Sequence, residues 1–87
     1  MAEFGSKRRG ELAGIIAERI MEEEGIGWTE FGESLGLERS FIVRVRLGQR
    51  KLGAYSMRKM AEAYPKWKPQ IDMLLAASDQ EVERMSL

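Results

Sequence analysis

The sequence predicts an all-α fold, a bundle of four or five short helices around one small core. Three observations carry that expectation. The chain has 87 residues, enough for one compact domain and too few for two. Its apolar residues recur at intervals of three and four, the spacing that gathers them on one face of a helix. The interruptions fall where helices end or restart: Gly25, Gly36 and Gly48 follow periodic stretches, and Pro65 and Pro69 precede a new one.

The first helix is expected from about Lys7 to Glu24, with Leu12, Ile15, Ile16, Ile20 and Met21 as its stripe and Gly25 as its stop. Glu22, Glu23 and Glu24 crowd the negative end of its dipole, which is mildly unfavourable. A second helix starts after Gly27, with Glu30 at its third position and Ile26 spaced to pack on Phe31 across the cap. Its inward face is Trp28, Phe31 and Leu35. The third helix covers about residues 38–47 and turns Ile42, Val45 and Phe41 inward. After the polar loop Gln49-Arg50-Lys51, a fourth runs from about Gly53 to Tyr64, with Tyr55, Met57, Met60, Ala61 and Tyr64 available for burial.

Pro69 suits the first position of a fifth helix, whose stripe is Ile71, Leu74 and Leu75. Ser78 and Glu81 have capping-box spacing, so residues 78–87 are expected as a short C-terminal helix or a frayed tail, with 7–77 as the domain proper. Residues 1–6 read differently. Glu3-Phe4-Gly5-Ser6 looks like the translation of two adjacent cloning sites, and 1–6 are set aside as a scar or disordered start. Lys7-Arg8-Arg9 is either a basic arm that touches backbone phosphate or the solvated start of the first helix.

The residue types narrow the chemistry. There is no cysteine and no histidine, which removes disulfides, thiolate metal sites, the commonest general base and the commonest zinc ligand. No metal, no cofactor and no enzymatic activity are expected; Glu30 and Glu33, the nearest thing to a carboxylate pair, lie on one helix and read as solvated. No apolar run approaches the ~18 residues that span a bilayer, and no signal-peptide pattern opens the chain. A soluble cytoplasmic protein, nucleoid-associated if it binds DNA, with no membrane partner is the expectation.

Net charge is formally zero and the pI is about 6.3, but the charges are segregated. Between Arg39 and Ala61 stand Arg39, Arg44, Arg46, Arg50, Lys51, Arg58 and Lys59 with no acid among them. The preceding stretch holds Glu18, Glu22, Glu23, Glu24, Glu30, Glu33 and Glu38 against Arg19 alone. A neutral protein keeps one face available for phosphates in this way.

The second and third helices are joined only by residues around Gly36-Leu37-Glu38. Helices joined so tightly cross at a steep angle and approach only where a small side chain leaves room, which accounts for Gly32. The left-handed turn accounts for Gly36, and Leu35, Leu37, Ile42 and Val45 lock the pair. Small residue, turn glycine and branched apolar residue in this order are the physical signature of a helix-turn-helix, spanning about Gly27 to Leu47.

The run from Ile26 to Arg50, with Trp28-Thr29-Glu30-Phe31-Gly32, then Leu35-Gly36-Leu37, then Ile42, Val45 and Gly48, resembles the Cro/C1-type (XRE-like) helix-turn-helix DNA-binding domain. Met60-Ala61-Glu62-Ala63-Tyr64 is similar to the end of that family's fourth helix, so the resemblance covers about residues 12 to 64. It implies a compact, lambda-repressor-like five-helix bundle with the third helix in the major groove. On that helix Arg39, Ser40, Val43, Arg44 and Leu47 face away from Ile42 and Val45. The residues then implied to meet base edges are Arg39, Ser40, Val43 and Arg44. The arginines suit guanine, and Val43 suits a thymine methyl. Thr29, Arg46, Gln49, Arg50 and Lys51 are implied to hold phosphates.

Two residues depart from the pattern. The family often has glutamine where this chain has Trp28, whose indole either stacks on sugar-phosphate or turns inward; burial is the expectation. Glu38 places a carboxylate near the groove. The implied function is a sequence-specific transcriptional regulator of double-stranded DNA, with repression by steric occupancy as the expected mode. A homodimer on half-sites about one helical turn apart is also expected. The alternatives are the antitoxin of a toxin–antitoxin pair, with a toxin as partner, or a helical protein-interaction module that does not bind DNA.

Overall fold

A computed structural model describes residues 7–86, and every described element is helical. The α-helices are α1 (Lys7–Glu24), α2 (Trp28–Leu35), α3 (Arg39–Arg46), α4 (Ala54–Ala63), α5 (Lys68–Ala76) and α6 (Asp79–Arg84), with a 3-10 turn at Pro65–Trp67. The described residues therefore hold six helices where a five-helix bundle was expected. Residues 1–6, read as a scar or disordered start, lie outside the described residues.

One core joins all the helices. Leu12, Ile16 and Ile20 of α1 meet Phe31 and Leu35 of α2, Met57 and Met60 of α4, Ile71 and Leu74 of α5 and Val82 of α6, all buried. Ile42 of α3 is buried as well, with Phe41 and Val45 half-buried against the core. The Cα radius of gyration, 12.2 Å, matches the roughly 12 Å of a close-packed chain this long.

The ends of the helices explain where the chain turns. At the end of α2, Gly36 adopts φ 71°, a left-handed conformation that costs glycine nothing. Its N–H donates to Glu33 O at 3.1 Å, and Leu37 N–H donates to Gly32 O at 3.0 Å. This pair of bonds is the Schellman ending, and the same pair closes α1 at Gly25–Ile26 and α3 at Gly48–Gln49. At α6 the expected capping box is complete: Ser78 Oγ accepts from Glu81 N–H at 3.2 Å, and Glu81 Oε1 accepts from Ser78 N–H at 2.8 Å.

Several details differ from the reading of the sequence. Val82 is fully buried, so α6 is a packed helix rather than a frayed tail. Tyr55 is 63% exposed while its neighbour Ser56 is buried. At about 100° per residue Ser56, Met57, Met60 and Ala61 share the inward face of α4, which leaves Tyr55 on the opposite side. Leu52, which follows the polar loop, is buried and fastens that loop to the core. Trp28 is only half-buried; its ring meets Phe31 edge-on at 6.2 Å between centroids.

A further difference concerns Arg8 and Arg9. Arg9 is buried, and its guanidinium donates to the carbonyls of Leu74 and Ala77 and to the carboxylate of Asp79, the last at 2.8 Å. Arg8 donates to Met85 O at 2.8 Å. The two side chains satisfy carbonyls at the C-terminal ends of α5 and α6, groups that a helix leaves without internal partners. Arg9 is therefore turned into the core rather than solvated, and Arg8 is tied to the end of α6.

At the other end of α1, Glu23 accepts from Lys66 Nζ and from Trp67 Nε1. The Lys66 hydrogen bond, helped by the Trp67 N–H and the Lys66 charge against some desolvation, holds the Glu23 carboxyl below its ordinary value. That ties the acidic end of α1 to the turn before α5 and gives one member of the glutamate cluster a structural role.

Candidate nucleic-acid interface

The approach of α2 to α3 rests on Gly32 and Ile42. A Cβ built at position 32 would lie 3.3 Å from Ile42 Cβ, which is tight, and 2.5 Å from Ile42 Cγ1, closer than carbon atoms can sit. Only glycine lets the helices come this near. The connection is three residues long, Gly36-Leu37-Glu38, with Leu37 half-buried against the core. Ile42 faces α2, so the opposite side of α3 is turned outward.

Arg39, Ser40, Val43 and Arg44 are all exposed on that outer side. Arg39 and Val43 share a cleft of about 430 Å³ with Trp28, Thr29, Glu33 and Arg46. Thr29 and Arg46 are thus brought together with two of the residues expected to meet bases. Ser40 and Arg44, four residues apart, share the other flank of the outward face. The four candidate base contacts form one continuous surface.

The residues after α3 are less uniform. Gln49, Arg50 and Lys51 are exposed, but Arg50 holds its guanidinium carbon 5.5 Å from the centroid of the Phe41 ring. That contact pins Arg50 beside α3 and covers one face of Phe41. Lys51 runs its side chain over Gly10 of α1, where an added Cβ would lie 3.1 Å away. Arg46, Arg50 and Lys51 border one cleft between α1 and the loop. Thr29 faces the other cleft and Gln49 lines neither, so Arg46 alone of the expected phosphate contacts borders both clefts.

The cations of this face differ from those elsewhere in how they are paired. Ion pairs occur elsewhere: Arg8–Glu11, Arg9–Asp79, Lys59–Glu62, Lys66–Glu23 and Lys68–Asp72. Among the described residues no carboxylate lies within ion-pair distance of Arg39, Arg44, Arg46, Arg50 or Lys51. Glu33 and Glu38, and Glu11 and Glu18 of α1, border the clefts these cations line without closing on them. These carboxylates place local negative charge at the rim.

Two exposed residues at this face were given no contact in the reading of the sequence. Leu47, at the end of α3, is 57% exposed; its spacing of four from Val43 put it on the outward side and was the available signal. Tyr55 borders a cleft with Glu38, Phe41, Arg50 and Lys51 and carries Lys59 Nζ 5.5 Å from its ring centroid. Its apparent place in an apolar stripe hid it.

Among the described residues no group of three carboxylates gathers to hold a metal, and no helix is long and apolar enough to cross a membrane. An apolar cleft between α5 and α6, bordered by Met73, Ala76 and Met85, leaves Met73 63% exposed. No family model, no curated protein and no solved structure matches the chain.

Proposed function

We propose that this chain is a sequence-specific regulator that binds double-stranded DNA, with α2 and α3 acting as a helix-turn-helix and α3 entering the major groove. The observation that carries the reading is the outward face of α3, where arginines without carboxylate partners among the described residues flank the loop cations. Phosphates satisfy such a surface, and guanine edges accept paired hydrogen bonds from guanidinium. The close approach at Gly32–Ile42 supports the reading, because it holds α3 against α2 as one rigid unit.

Arg39, Ser40, Val43 and Arg44 are the proposed base contacts, and Thr29, Arg46, Gln49, Arg50 and Lys51 the proposed phosphate contacts. Trp28, half-buried, walls the cleft beside Thr29 in the place where the resembled family often has glutamine. Repression by steric occupancy is the proposed mode, in the cytoplasm at the nucleoid, without enzymatic activity. One module this small contacts a handful of base pairs, so a two-fold dimer on a pseudo-palindrome supplies the contacts that useful specificity needs. The exposed Met73 and the α5–α6 cleft favour that end of the molecule as the dimer face.

Selection of duplexes from a random-sequence pool tests the reading. Enrichment of a two-fold symmetric motif supports both DNA reading and dimerisation. Failure to enrich any duplex at low salt removes the DNA reading and leaves the helical surface to a protein partner, such as a toxin.

A further inference from the structure

With about 100° between successive residues, the exposed side chains of α3 and its last turn fall in the order Arg46, Arg39, Val43, Leu47, Ser40, Arg44, over an arc of about 160°. The crest of that arc is apolar. Val43 is 39% exposed and Leu47 57% exposed. Leu47 continues the helical path at φ −82°, ψ 0°, one turn beyond Val43. A single exposed leucine means nothing. Here two apolar side chains make a continuous ridge along the outermost line of the helix, with Arg39 and Arg46 on one flank and Arg44 on the other.

Charge decides what fits this ridge. An apolar protein surface covering it would also bury arginines that have no carboxylate partner among the described residues, at a large desolvation cost. A DNA major groove pairs phosphates and guanine edges for the flanks with one apolar group for the crest, the 5-methyl of thymine. We infer that Leu47 is a specificity-determining residue that packs on a thymine 5-methyl group, in one row with Val43. The inference rests on the proposed DNA-binding reading and deepens it. Four residues advance about 6 Å along a helix and successive base pairs about 3.4 Å, so the two methyls lie one or two base steps apart in each half-site.

Replacing thymine by deoxyuridine deletes that methyl and keeps every hydrogen-bonding group. The full-length chain, Leu47→Ala and Val43→Ala are each titrated against the duplex enriched from a random pool, with one thymine at a time changed to deoxyuridine. Both side chains are exposed, so the variants should fold, and circular-dichroism melting checks this. The unmodified chain should lose about fourfold in affinity at each of two positions per half-site, the effect of one buried methyl. Leu47→Ala should lose about as much on the thymine duplex and be indifferent to deoxyuridine at one of those positions, and Val43→Ala at the other.

Equal affinity of the unmodified chain for the thymine duplex and a fully deoxyuridine-substituted one overturns the inference and leaves DNA binding intact. Enrichment of no duplex overturns the DNA-binding reading itself. If Leu47→Ala weakens self-association in sedimentation and binds both duplexes equally worse, Leu47 belongs to a protein interface and the inference is wrong.

Discussion

Ile42 occupies the space that any side chain at position 32 would need: a Cβ on Gly32 would stand 2.5 Å from Ile42 Cγ1. Ile42 is β-branched and buried, so it cannot swing aside. Gly32→Ala therefore forces α2 and α3 apart. Overpacking of this kind costs about 1–3 kcal/mol, set against the roughly 1 kcal/mol that alanine gains over glycine within a helix. A net loss is expected in urea unfolding. Ile42→Ala alone should cost about 2–5 kcal/mol, and the double variant should lose less than the sum, because removing Cγ1 makes room for the methyl group added at position 32. Strict additivity would show that the two residues do not press on each other.

Arg9 gives the second prediction. Its guanidinium serves the carbonyls of Leu74 and Ala77 and the carboxylate of Asp79 from a buried position. Arg9→Met keeps much of the aliphatic stem and leaves those carbonyls without their donor, at a cost of about 1.5–3 kcal/mol. Urea unfolding should show the loss, while the affinity of the folded fraction for DNA stays the same. A change in DNA affinity without a change in stability would return Arg9 to the role of a DNA-seeking arm.

The helices and most of the core were legible in the sequence because their signals are local. The three-and-four spacing of Leu12, Ile16 and Ile20, the glycines at 25, 36 and 48 and the Ser78–Glu81 pair all act within a few residues of themselves. Arg9 was not legible, since its partners lie 65 or more residues away and an arginine near a helix start looks solvated by default. Tyr55 misled for a different reason. Its apolar character groups it with Met57, Met60, Ala61 and Tyr64, but at about 100° per residue it lies roughly opposite them, and the small polar Ser56 completes their buried face instead. In the candidate site, Arg39, Ser40, Val43, Arg44 and Leu47 were identifiable as the side of α3 opposite Ile42. The Arg50–Phe41 contact depends on how the loop packs after α3, which periodicity does not report.

Glu23 supplies a prediction in pH. The Lys66 hydrogen bond holds its carboxyl below the ordinary 4.5 in the folded chain. A depressed carboxyl stabilises the fold above the unfolded value and loses that contribution as pH falls through the folded one. The Glu23 contribution should be complete at pH 6 and fade below 4.5. Glu23→Gln should lower the Tm at pH 6, and the gap to the unmodified protein should close as pH falls through the folded-state value. A gap between the two that is constant over this range would mean that the Glu23 charge contributes nothing.

Arg44 and Arg50 should separate base reading from phosphate binding. Arg44→Ala should cost about 1–3 kcal/mol on the preferred duplex and relax the choice at one base pair. Arg50→Ala should weaken all duplexes alike and reduce the salt slope by about 1. Quantitative binding to the enriched duplex and its single-base variants distinguishes them, and a uniform loss from Arg44→Ala would remove it from the base contacts.

The most direct test of DNA binding by the α3 face is the affinity for the enriched duplex measured from about 50 to 200 mM salt. Arg46, Arg50 and Lys51 at phosphates correspond to a slope of log K on log salt of about −2.7 per chain, a loss of roughly 40-fold over that range, and about twice the slope for a dimer. A steep, linear fall of this size is the predicted result. Affinity that does not change with salt, or no duplex captured at all, would contradict the proposal that this face binds DNA.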